Sequence, residues 1–217
     1  VHFLAHFHLE CSGATNEFLF GNSMPDLVAS FTKLFHQKLN RSEVSLVYSE
    51  LEIINGIRTH FEDDKLFHAQ SDFEKLCRQL TNTMLQKQLD RNSLRLSFLA
   101  HLLVEILFDR WLSEQHPTLP KRFYEMLENV KMASVETYCF KHDLADVFAI
   151  VAEKRTRFLQ HRFLFQLAES EQVAKGVCNL YARTTGRTIT NSELFRIIDS
   201  INEFYALSIN WKVLLVK

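Results

Sequence analysis

The chain has 217 residues, of which 47% are apolar and 19 are phenylalanine, so a sizeable core can be buried. With 25 basic against 26 acidic side chains, its formal net charge of −1 excludes a global field that would draw in nucleic acid or an anionic membrane. Five glycines and three prolines are too few for a fold rich in tight turns, which leaves long helices on short connections and an all-α class.

The opening VHFLAHFHLE carries three histidines, which an apolar leader would not hold, and no apolar run reaches the ~18 residues of a membrane span. We read this stretch as the start of the folded domain and the protein as cytoplasmic. MPDLVASFTKLF then sets Leu27, Phe31, Leu34 and Phe35 on one stripe, which predicts a helix from Pro25 to about Lys38 with the proline near its start. Ser42 and Glu43 open a second helix running toward His60, in which Gly56 marks close packing or a bend. A third spans about Asp72 to Asp90. Asn92 or Ser93 caps the next, LRLSFLAHLLVEILFDRWLSEQ, which is apolar nearly all round and therefore central to a bundle.

Further helices are expected over Thr118–Val130, Asp143 to about Arg162, and Leu164 to Thr184. TTGRTITNSE is a turn with Asn191 or Ser192 as cap, before a last helix toward Trp211 and the apolar tail WKVLLVK. There is no repeat, low-complexity run or linker, so residues 1–217 are taken as a single domain. Cys11, Cys77, Cys139 and Cys178 form no CxxC pair and give no zinc-knuckle or disulfide pattern. The oligomeric state stays open.

Chemistry-bearing residues recur at intervals of four. In GIRTHFEDDKLFH these are His60, Asp64 and His68; in HLLVEILFD they are His101, Glu105 and Asp109. At ~3.6 residues per turn such positions share one helix stripe. His6, His8 and Asp26 could add to them. Mixed imidazole and carboxylate donors suit manganese, iron or magnesium better than a structural zinc, because they leave positions open for water. A carboxylate such as Glu105 among apolar neighbours costs several kcal/mol unless a cation or donor compensates it. The plainer alternatives are a hydrogen-bonded core histidine at His101, a solvated turn at Asp63–Lys65, and an ion-pair ladder around Arg110. His36, His116, His142 and His161 are assigned to surface or packing.

In order along the chain, VHFLAHFHL, GNSMPD, GIRTHFEDD and LLVEILFDRWL resemble the motifs of acyl carrier protein phosphodiesterases, over roughly the first 125 residues. By this resemblance His6, Asp26, His60 and Asp64 match family positions directly. His68 stands where that family has Asp and Gln70 where it has His. His101 and Glu105 stand for an Asp pair, and Ile106 for a His. The resemblance implies an HD-domain-like helical fold and a divalent cation, manganese by family precedent, held by His6, Asp26, His60, Asp64, His68, His101 and Glu105 within residues 1–112. It further implies hydrolysis of the bond joining 4′-phosphopantetheine to a serine of holo-acyl carrier protein. Asp26 or Asp64 would position water or accept its proton, and Arg58 or Arg110 could face the phosphoryl charge. Since an acyl carrier protein is acidic, Lys33, Lys38 and Arg41 are its docking candidates. Two alternatives stand beside this: a hydrolase of another phosphate ester, and a partner-binding protein that has lost hydrolysis, which the changes at 68, 70 and 106 favour.

Overall fold

A computed structural model describes residues 2–28, 47–207 and 209–215. They are all-helical, as expected, with no strand among the described residues. The elements are α1 (Phe3–Glu10), α2 (Asn16–Leu27), α3 (Tyr48–His68), α4 (Ser71–Gln86), α5 (Leu96–Gln115), α6 (Leu119–Asn129), α7 (Met132–Lys141), α8 (Ala145–His161), a 3₁₀ turn (Phe163–Gln166), α9 (Ser170–Thr185), α10 (Asn191–Tyr205) and a closing 3₁₀ turn (Trp211–Leu214). Among the described residues no helix is long and apolar enough to cross a membrane.

Backbone contacts group the chain into two compact units, where the sequence reading takes one domain. Unit 1 comprises Leu66–Gln115 and Leu164–Lys217, and unit 2 comprises His2–Lys65 and His116–Phe163. In unit 1, α5 packs on α4 and α9, and α10 packs on the same two helices. The burial of every residue from Leu102 to Asp109 explains why α5 reads as apolar all round. Phe67, Phe73 and Phe108 meet there at centroid distances of 4.9 and 5.6 Å from Phe67. In unit 2, α1 and α2 pack on each other and on α6, and α8 packs on α2, α6 and α7. Phe3 sits edge-on to Phe123 and Phe158, at 5.9 and 4.7 Å.

Several boundaries differ from the sequence reading. Pro25 lies in the last turn of α2 and starts no helix. The Thr15 hydroxyl caps α2 by accepting the Phe18 N–H at 3.2 Å, and a proline this near the end forfeits only one helical bond. The rest of the helix expected from Pro25 to about Lys38, the docking candidates Lys33, Lys38 and Arg41, and Ser42 and Glu43 of the next helix lie outside the described residues. Helix α3 continues past His60 through FEDDKLFH, so Asp63 and Asp64 are helical and not a turn. Met132–Lys141, unread in the sequence, forms α7 on the stripe of Val135, Tyr138 and Cys139. Thr190, not Asn191 or Ser192, caps α10 in a box closed by Glu193: the Thr190 N–H donates to Glu193 at 2.9 Å and the Glu193 N–H to Thr190 at 3.3 Å. Thr190→Ala is expected to cost about 1 kcal/mol in chemical denaturation. Asn191→Ala and Ser192→Ala should stay within about 0.5 kcal/mol of the parent.

The approach of α2 to α3 depends on two glycines. A Cβ at Gly56 would fall on the Phe18 carbonyl oxygen and 2.7 Å from the Asn22 nitrogen. One at Gly21 would fall on the Ile53 carbonyl oxygen and 2.9 Å from its carbon. Gly56 therefore marks close packing, with backbone set against backbone. This contact lies one turn before both His60 on α3 and Asp26 on α2, so it sets how near those two side chains stand.

Candidate metal centre

Helix α1 supplies His6 from the buried start of unit 2, with His2 one turn before it at the N-cap. Helix α2 supplies Asp26, and α3 supplies His60 and Asp64. Their ligand atoms form two overlapping trios, His2–His6–Asp26 and His6–His60–Asp64, each with all atoms within 4.8 Å of one another. His6 belongs to both. The three imidazoles run as a stack, His2 to His6 at 4.3 Å and His6 to His60 at 4.2 Å between centroids. Asp26 is held in place as its Oδ2 accepts the His2 backbone N–H at 3.2 Å.

His6 is 2% exposed, and both its ring nitrogens are buried without a hydrogen-bond partner. The nearest acid is Asp63, whose Oδ2 stands 4.0 Å from His6 Nδ1, beyond hydrogen-bond range. His60 is 4% exposed and its Nδ1 is likewise buried without such a partner. Each buried polar atom left unsatisfied costs about 1–3 kcal/mol. An imidazole nitrogen is also a metal ligand, and a cation among these atoms would meet that cost. Burial pushes the His60 imidazole down to about 3, against the opposing pull of Asp26 and Asp64. It is therefore neutral near pH 7, the form in which histidine binds metal.

Of the seven ligands read from the sequence, His6, Asp26, His60 and Asp64 fall in this group. His68, His101 and Glu105 form a group of their own in unit 1, and no residue is common to both sets among the described residues. Spacing by four selects a helix face but not a height: a stripe eight residues long rises about 12 Å, whereas one ion's ligands lie within a few ångströms.

Two residues of the region were not singled out by sequence. His2 obeys the same i, i+4 rule with respect to His6 that picks out His60 and Asp64. Asn22, one turn before Asp26, is 1% exposed with both amide atoms lacking a hydrogen-bond partner. His8 lies apart from the trios, stacked on His116 at 4.5 Å, and burial with the charges of His116 and Arg122 lowers its pKa.

Neither arginine proposed for the phosphoryl group stands ready for it. Arg58 is exposed on α3. Arg110 donates to Glu114 at 3.0 Å and to Ser170 at 3.2 Å, and lies over the Tyr205 ring at 4.0 Å. Three of the thiols offer no ready nucleophile: burial raises Cys77, Cys139 and Cys178 to about 12, with Glu105 and Glu74 adding to the rise at Cys77 and Glu193 at Cys178. No protein-family model, no curated protein and no solved structure matches this chain.

Proposed function

We propose that this protein is a divalent-metal-dependent hydrolase of phosphate esters. Its proposed substrate is the phosphodiester between 4′-phosphopantetheine and the serine of holo-acyl carrier protein. The observation that carries the metal-dependent part is His6, a fully buried imidazole with two unsatisfied nitrogens shared by two histidine–carboxylate trios. The substrate class rests on the order of the motifs VHFLAHFHL, GNSMPD and GIRTHFEDD.

His6, His60, Asp26 and Asp64 would hold the cation; their mixed donors suit manganese, iron or magnesium, and manganese is chosen on the resemblance. Once bound, such an ion polarises phosphoryl oxygen and lowers the pKa of water. The chain's own residues supply the rest. His6 and His60 bind as neutral imidazoles. Asp26, fixed by the His2 N–H, orients the reacting groups. Asp64, only partly buried, accepts the proton of the attacking water as its oxygen bonds to phosphorus and the bond from phosphorus to the serine oxygen breaks. The serine alkoxide then takes a proton from bulk water and Asp64 releases its own to solvent, which leaves apo-carrier and 4′-phosphopantetheine as products.

The test is to incubate holo-acyl carrier protein with the protein and Mn(II) and to weigh the carrier. Loss of the phosphopantetheine mass, abolished by Asp64→Asn, is the expected result. An unchanged carrier mass alongside cleavage of other phosphate esters would move the substrate but keep the chemistry. A second reading, carrier binding without hydrolysis, is favoured by Gln70 and Ile106. Gln70 Nε2 donates to the Leu214 carbonyl at 3.5 Å, and Ile106 is buried, so neither supplies the family's histidine. It predicts a stable complex with holo-carrier and no mass loss.

A further inference from the structure

The second set of ligand-type side chains, in unit 1, has no role in the chemistry above. His68 at the end of α3 and His101 on α5 both point Nε2 at one oxygen, Glu105 Oε1, at 2.8 and 3.1 Å. The two rings are parallel within 9° with centroids 4.8 Å apart. Phe73 braces both edge-on, at 5.0 and 5.1 Å, so their positions are set by packing. Glu105 is 1% exposed in the middle of the apolar α5, whereas both histidines are only partly buried. The histidines line an open cleft of about 300 Å³, shared with Gln70, Phe73, Cys77 and Ser97.

We propose that His68, His101 and Glu105 form a second metal site, distinct from the His6 centre, for a transition metal of the zinc class with one coordination position open to the cleft. The ligand atoms already stand close to the required spacing. Around a tetrahedral ion with bonds of about 2.1 Å, ligand atoms lie about 3.4 Å apart; the two nitrogen–oxygen separations here, 2.8 and 3.1 Å, are somewhat shorter, and all three ligand atoms lie within 4.8 Å of one another. Two imidazoles and one carboxylate make a three-ligand set, the number that leaves zinc a fourth position for water or a small anionic ligand. Zinc, nickel and copper prefer imidazole over the oxygen-rich sets that magnesium and calcium take. The cleft admits something the size of a small metabolite, and its wall mixes an aromatic face with the amide of Gln70 and the hydroxyl of Ser97. The competing account is a closed hydrogen-bonded trio in which the carboxylate merely accepts two imidazole N–H groups.

Metal counting on the full chain separates the two accounts. After loading with Zn(II) and exhaustive dialysis, the parent protein should retain one more equivalent of zinc than Glu105→Gln, an isosteric change that removes the charge. His101→Asn, at a partly exposed position, should lose the same equivalent, whereas His60→Ala should keep it; that last arm separates this site from the His6 centre. With Co(II) in place of zinc, the visible bands of a low-coordinate site should appear in the parent and vanish in Glu105→Gln. An unchanged zinc count and Co(II) spectrum in both unit 1 variants would overturn the proposal. Should those variants misfold, zinc-edge anomalous diffraction from the parent decides: a peak touching both Nε2 atoms supports the site, and its absence from zinc-loaded crystals overturns it.

Discussion

Alanine in place of His60 or Asp64 is expected to weaken Mn(II) binding by about 100-fold or more. Losing even a residue that only supports a ligand costs about 10–100-fold, and on the proposed reading these two supply ligand atoms themselves. Calorimetric titration of the full chain would measure it, with His8→Ala as control, because His8 stacks on His116 and belongs to neither trio. Unchanged affinity in both variants would reject the ligand assignment. His6→Leu carries a second signature. It removes two buried nitrogens that have no hydrogen-bond partner, so the metal-free protein should be as stable as the parent or more so, while Mn(II) binding is lost. A purely structural histidine would give the opposite sign, since removing a residue that packs and bonds well lowers stability.

Gly56→Ala is the second large effect, and its sign is the informative part. In an ordinary helix interior, glycine to alanine stabilises by about 1 kcal/mol. Here the new methyl would land on the Phe18 carbonyl and against the Asn22 nitrogen, both of them backbone and unable to swing aside. Destabilisation of about 1–3 kcal/mol is expected in denaturant melts, the usual range for overpacking. Because the same contact spaces α2 from α3, metal affinity should fall together with stability. A neutral or stabilising result would mean that the two helices do not approach as closely as described.

The sequence was most legible where a single periodic pattern ran long. The twenty-residue α5 and the stripe of α4 stand close to where apolar spacing places them, and the all-helical class follows from the shortage of glycine and proline. It was least legible at short helices and at caps. Helix α7 has only ten residues and three buried positions, too few to stand out from a loop. The α10 cap went to Thr190 because Glu193 three residues on completes the box, a reciprocal pairing that scanning for a single capping residue overlooks.

At the site, spacing by four on α3 selects His60 and Asp64 and takes in His68 with them, since periodicity along one helix carries no information about which partner helix lies opposite; Asp26 has no such spacing and rests on residue type and the order of the motifs. His2 stands outside the long stripes of α3 and α5, at the N-cap of a helix of only eight residues, where a single i, i+4 pair with His6 is a weak signal. Asn22 was invisible in principle: an asparagine in a helix becomes noteworthy only once its amide is known to be buried without a hydrogen-bond partner.

On the proposed reading, imidazole and carboxylate groups of α1, α2 and α3 gather around a divalent ion. Anomalous diffraction from crystals grown with Mn(II) tests it most directly. A manganese peak is expected in coordination contact with a nitrogen of His6 or His60 and an oxygen of Asp26 or Asp64. A manganese-loaded crystal with no peak among these side chains would contradict it.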